Sequence, residues 1–207
     1  MKKFNQDFKA KLYETIEDIE NNSLVEIVAV VKSKSGEYQN VSLWFASVAM
    51  FLAYSYFMFA PPEFGVYFIY FGTLFSFGIV YLLIELIKPL KRFLTKKKRL
   101  TRNTDIYARA VFQKGGIRFT NEKIGVLFYV SLFEKSVKII ADRGAFTLVP
   151  NEFWSKFKKD FNSIFEADNA ADAFITELQK TKAIFAEYIL PIENDINELP
   201  DDLEVDL

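Results

Sequence analysis

Residues 43–60 contain no charged side chain, and residues 66–87 contain one, Glu85. As helices they reach roughly 27 Å and 33 Å at about 1.5 Å per residue, close to the thickness of a bilayer core. Between them lies the sequence APPEFG, where Pro61 and Pro62 stop the first helix and Gly65 permits a tight turn. Neither segment shows the polar face that a soluble helix of this length carries. The two segments are therefore expected to form a transmembrane hairpin within 43–88, with spans at about 43–60 and 66–87.

Charge gives the hairpin a direction. Residues 43–102 hold eight Lys or Arg and two acids, and all eight bases follow the second apolar segment: Lys88, Lys91, Arg92, Lys96, Lys97, Lys98, Arg99 and Arg102. Such a cluster keeps its end of a span in the cytoplasm. A two-span hairpin then returns residues 1–42 to the same side, so both termini are expected there. The run Lys96, Lys97, Lys98 and Arg99 is a candidate for anionic lipid head groups as well as a topology signal. Glu85, three residues from Lys88, is expected to be a paired side chain near the cytoplasmic end. From Glu187 onward the chain has acids and no bases.

The 207 residues include no Cys and no His, which excludes disulfides, thiolate metal sites, cysteine nucleophiles, Ser-His triads and imidazole acid–base chemistry. The formal net charge of −1 argues against a nucleic-acid partner.

The flanks read as two parts of one α/β domain. Phe4, Phe8, Leu12, Ile16 and Ile19 recur at three- and four-residue spacing, the stripe of an amphipathic helix over 4–20. The β-branched run LVEIVAVV predicts a strand over 24–31. A helix and one strand cannot cover their own apolar surface, and the chain after the hairpin supplies partners. A helix is expected over 104–114 with Ile106, Ala110 and Val111 inward. Strands are expected at 124–131, buried on both faces, and at 136–141. Helices are expected at 151–165, with Phe153, Trp154, Phe157 and Phe161 as core, and at 168–188. Residues 1–42 and 103–190 thus form a discontinuous domain, joined to the hairpin by a basic linker at 89–102 and followed by an acidic tail at 191–207.

Four residues have oxygens that could hold a hard cation. Asp142 follows a strand and precedes Arg143-Gly144, where a carboxylate can either ligate a cation or cap a turn. Thr120 and Asn121 precede the central strand and place oxygens where a loop can approach Asp142. Glu26 lies in the first strand and is expected to face solvent or an edge.

The order EIVAVVKSKSGEY (26–38), VSLW entering an apolar hairpin, a basic stretch, FTNEKIGVLFYVSLFEKSVKIIADRGAF (119–146) and VPNEFW resembles the TPM domain family. The bacterial branch whose domain is interrupted by a transmembrane hairpin is the closer likeness, and NELPDDLEVDL is similar to its ending. The resemblance covers about residues 10–207. It implies a three-layer α/β/α sandwich with a mixed sheet, in the bacterial inner membrane. It also implies a choice of activities, because some relatives bind calcium, some are assigned a weak acid phosphatase activity, and others assist assembly or repair of membrane protein complexes. Ile124 stands where relatives often carry a polar residue, and the aspartate-rich calcium motif of the secreted branch is absent.

Three functions follow as expectations. The first is a non-catalytic assembly, interaction or quality-control factor for other membrane proteins. The second is a divalent-metal-dependent phosphatase-like hydrolase, with calcium or magnesium at Asp142. The third is a transport component, which would need a homo-oligomer to build a pore from two spans. The absence of native Cys makes topology testable. Cysteines at Ser35, Glu63 and Ser163 should react with an impermeant label from outside only at Glu63, and labelling at Ser163 in intact cells would reverse the orientation.

Overall fold

The computed structural model describes Phe4, residues 6–120 and 122–191, and the backbone of residues 205–206. The chain divides into two compact units, one made of Met1–Ser35 with Thr101–Leu207 and the other of Gly36–Leu100. The first unit is thus assembled from both sides of an insertion.

In the first unit, α1 (Gln6–Glu20) leads to β1 (Glu26–Lys32). After the insertion come α5 (which begins at Lys97 and ends at Lys114), a 3-10 turn at Ile117–Phe119, β2 (Gly125–Ser131), β3 (Ser136–Ala141), α6 (Arg143–Leu148), α7 (Asn151–Ser163), α8 (Ala170–Tyr188) and the short β4 (Val205–Asp206). The sheet order is β3-β2-β1-β4. β1 and β2 run parallel, with Glu26 opposite Gly125 and Lys32 opposite Ser131. β2 and β3 form an antiparallel hairpin. β4 adds parallel to β1 at Val31 and Lys32.

Parallel strands carry helices on both faces, and the alternation along β1 and β2 shows which side chain meets which layer. Ile27, Ala29, Val31, Val126, Phe128 and Val130 join α1, α7 and α8 in the larger core. Val30, Leu127 and Tyr129 turn the other way, onto Ala108 of α5 and Ile117. The result is the α/β/α sandwich with a mixed sheet. All seven residues of β2 are buried, as expected of a central strand. The expected stripe of α1 is buried at every position, and Trp154, Phe157 and Phe161 of α7 enter the core with Phe174, Leu178 and Phe185 of α8. Phe128 sits 4.9 Å from Phe161, ring centre to ring centre.

Two local expectations change. The helix expected over 104–114 begins at Lys97, because Lys and Arg are good helix formers. Its inward face is partly rotated. Val111 packs on the smaller core as expected, but Ile106 is 58 % exposed while Thr104 and Ala108 are fully buried. The turn expected after β3 is a short helix, α6, started by Asp142.

The second unit contains α2 (Gln39–Phe59), α3 (Val66–Leu86) and α4 (Lys88–Leu94). α2 and α3 are long and apolar enough to cross a membrane, and only 11 % of each one's apolar window is buried. The core helix of a soluble protein is buried over most of its length. Here Phe51, Phe59, Tyr67, Phe71 and Phe75 are exposed.

Gly125 is required where the 3-10 turn crosses β2, since a Cβ there would lie 2.3 Å from the Ile117 carbonyl oxygen. No side chain relaxes that clash, because the obstacle is backbone. Gly125→Ala should destabilise the sheet by about 1–3 kcal/mol, seen as faster hydrogen exchange of β2 amides. Gly78→Ala, which meets nothing within 4 Å, should leave that exchange unchanged.

Candidate functional site

The two ends of the sheet are built differently. At the amino end of β2 the chain is knitted by a strained loop. Lys123 adopts a φ of 55°, a left-handed conformation that costs a non-glycine residue about 1–2 kcal/mol. In return its carbonyl accepts the amides of Gly144 and Ala145 at 2.8 and 3.2 Å. Thr120 is buried, and its hydroxyl accepts the Ile124 amide at 3.1 Å. Asp142 donates its own amide to the Gly125 carbonyl at 2.8 Å, which carries the row Glu26–Gly125 on to the start of α6.

The fold therefore brings Asp142, Thr120 and Glu26 to one end of the sheet. Asp142 Oδ1 accepts the Arg143 amide at 2.6 Å, capping α6. Its Oδ2 is buried and accepts no hydrogen bond from the described residues. A buried carboxylate oxygen without a donor is costly. Glu26 is 5 % exposed, so the expectation that it faces solvent is corrected. Its side chain lies on the face that the 3-10 turn covers. Asn121 falls outside the described residues. Among the described residues no three Asp or Glu side chains gather where a metal ion could be held.

At the opposite end is a buried polar cluster. Glu134, in the β2–β3 turn, accepts the Ser35 amide on Oε1 at 2.8 Å and the Ser131 hydroxyl on Oε2. The Ser35 hydroxyl donates to Ser131 Oγ at 2.6 Å and lies 2.8 Å from the Tyr129 hydroxyl. All four residues are buried. Burial pushes the Tyr129 phenol up to about 12, against a smaller opposing effect of the hydrogen bond with Ser35. Ser35 is the last residue of the first unit before the insertion, so the cluster fixes the point at which the chain leaves the sheet. Sequence reasoning did not find it. The available signal was a tyrosine in an otherwise apolar buried strand, whose hydroxyl needs a partner. Ser35 is accordingly unsuited to surface labelling, and exposed Lys34 replaces it.

Within the second unit, Glu85 is held by Lys91 of α4, whose Nζ lies 2.7 and 2.8 Å from its two oxygens. Ser42 of α2 donates to the same carboxylate at 2.8 Å. Three helices thus share one carboxylate. Arg99 donates to the Glu37 carbonyl at 2.8 Å and lies over the Tyr38 ring, 5.4 Å from its centre. Lys96, Lys97 and Lys98 are exposed.

Compared with known proteins, residues 93–184 match the model of the TPM domain. No curated protein matches the chain. Its fold is similar to the NMR structure of BA42 protein from the psychrophilic bacterium Bizionia argentinensis, at 16 % identity and a TM-score of 0.59, over 97 % of this chain and 94 % of that one. This likeness concerns the fold alone. The matched segment begins after the apolar helices, yet its central strand β2 pairs with β1, which precedes them.

The raised phenol gives a signed prediction. An unfolded tyrosine ionises near 10, so the folded state holds its proton more tightly, and the stability this contributes is present below pH 10 and lost as pH rises to about 12. Tyr129→Phe should remove that alkaline loss, seen in pH-dependent unfolding of the full chain, and should cost about 1 kcal/mol at neutral pH from the lost hydrogen bond. An unchanged alkaline profile would place the phenol outside the cluster.

Proposed function

We propose, from the premise that this chain carries a TPM domain, that it is a membrane-anchored, non-catalytic assembly or quality-control factor for other membrane proteins. In this reading α2 and α3 cross the bacterial inner membrane and the α/β/α unit lies in the cytoplasm. The observation that carries it is the pairing of β1 with β2 on either side of the apolar insertion. A sheet made of residues before and after two spans requires both flanks on one side of the bilayer. The bases at 88–102 favour the cytoplasm for that side. The domain is tethered at both ends of the insertion, which suits a module that presents a folded surface beside membrane partners. The polar groups of the Ser35 cluster are buried against each other, which suits a scaffold.

A second reading rests on the buried Asp142 Oδ2. A divalent cation beside it, with oxygens from Thr120, Glu26 or Asn121, would give a phosphatase-like hydrolase that binds calcium or magnesium. Calcium takes about six to eight oxygens, and the described residues do not bring that many together. Of the oxygens named, Asp142 Oδ2 is the one left buried without a donor among the described residues.

Crosslinking in intact membranes followed by purification of the full chain should recover integral membrane proteins. Recovery of none under any growth condition would count against the assembly role. The hydrolase reading requires cleavage of a generic phosphate ester that disappears in Asp142→Asn. Hydrolysis surviving that substitution removes it.

A further inference from the structure

The segment leaving α3 is more than a linker. Ile87 (φ −93°, ψ 82°) ends α3, and Pro89 stands in the first turn of α4. Two of the basic side chains that follow are used within the second unit. Lys91 closes on Glu85, and Arg99 is held by the Glu37 carbonyl and the Tyr38 ring. The side chains of Lys96, Lys97 and Lys98 are exposed and make no hydrogen bond or ion pair among the described residues. Just before them stands Phe93, 86 % exposed, with Leu86 at 77 %.

A topology signal needs only positive charge near the span. It does not require an aromatic ring 86 % exposed directly before three lysines whose side chains are unheld among the described residues. An apolar side chain beside unpartnered lysines at the end of an apolar helix is the composition of a surface lying at a lipid interface. We infer that Phe93, Lys96, Lys97 and Lys98 form a binding surface for the head groups of anionic phospholipids. Phe93 enters the boundary between head groups and acyl chains, and the three lysines neutralise phosphates. Arg99 is not part of this surface, because its guanidinium clasps the start of α2. The inference rests on the reading that α2 and α3 cross the bilayer.

The test uses the full chain in nanodiscs of phosphatidylcholine mixed with phosphatidylglycerol, with co-retained lipid counted by native mass spectrometry. The wild-type chain should retain phosphatidylglycerol preferentially. Replacing Lys96, Lys97 and Lys98 by Gln together should lower that preference at least tenfold, and Phe93→Ala should lower it by less. Arg99→Gln should keep it. An undiminished preference in the triple variant, or an equal loss in Arg99→Gln, overturns the assignment. Loss of bound lipid on adding inorganic phosphate would also overturn it, by making this a site for a soluble anion. Alkaline carbonate extraction separates the two premises. A chain that leaves the membrane in carbonate refutes the spans, whereas one that stays embedded without lipid preference refutes only the head-group surface.

Discussion

The parallel pairing of β1 with β2 is the constraint on which the structure depends. Seven residue pairs, from Glu26–Gly125 to Lys32–Ser131, join segments separated by the whole insertion. Without β1, the central strand would lose its parallel neighbour, and α1, which packs on α8 and on β1, would lose its place in the larger core. Two apolar helices inside such a connection can leave and return. They cannot end on opposite sides of a bilayer without tearing the sheet. If α2 and α3 cross a bilayer, as proposed, their topology is coupled to the folding of the first unit, and the closure entropy of the long connection is met by the apolar surface that both faces of β2 bury.

The two ends of the sheet take different roles from the same strands. At one end a glycine, a left-handed lysine and a capping aspartate bring backbone segments close together and leave one carboxylate oxygen buried without a donor among the described residues. At the other, Ser35, Tyr129, Ser131 and Glu134 satisfy one another where the chain departs for the insertion. A satisfied buried network favours one geometry, which suits an exit point. An orphaned oxygen has no such explanation among the described residues, which is why the alternative reading is proposed at Asp142.

Much of this was legible in the sequence. Periodicity locates α1 and the buried faces of α7 and α8, and a continuous apolar run locates β2, because these signals are local and repeat over several turns. The residues that escaped are governed by other rules. The start of α5 lay hidden in a lysine run, whose charge suggests a solvated linker while its helix propensity is high. α6 is too short to form alone and depends on the Asp142 cap. Ile106 of α5 was misplaced because the helix turns the small residues Thr104 and Ala108 inward in its stead, and small or polar side chains do not mark a buried face in the sequence. The Ser35 cluster joins residues about a hundred positions apart, and no local pattern encodes such a partner. Glu85 was read correctly as a paired carboxylate, and the break at Ile87 adds Lys91 to its partners, with Ser42 from α2.

Disulfide trapping in native membranes tests the central claim most directly, since the chain has no cysteine of its own. Val31 and Val130 are register partners across β1 and β2, and cysteines at both should crosslink quantitatively in the full chain on mild oxidation. A pair at Ile27 and Val130, at opposite ends of the same strands, should stay reduced. Crosslinking of the distant pair with none at Val31 and Val130 would mean that the strand before the two apolar helices does not complete the sheet after them.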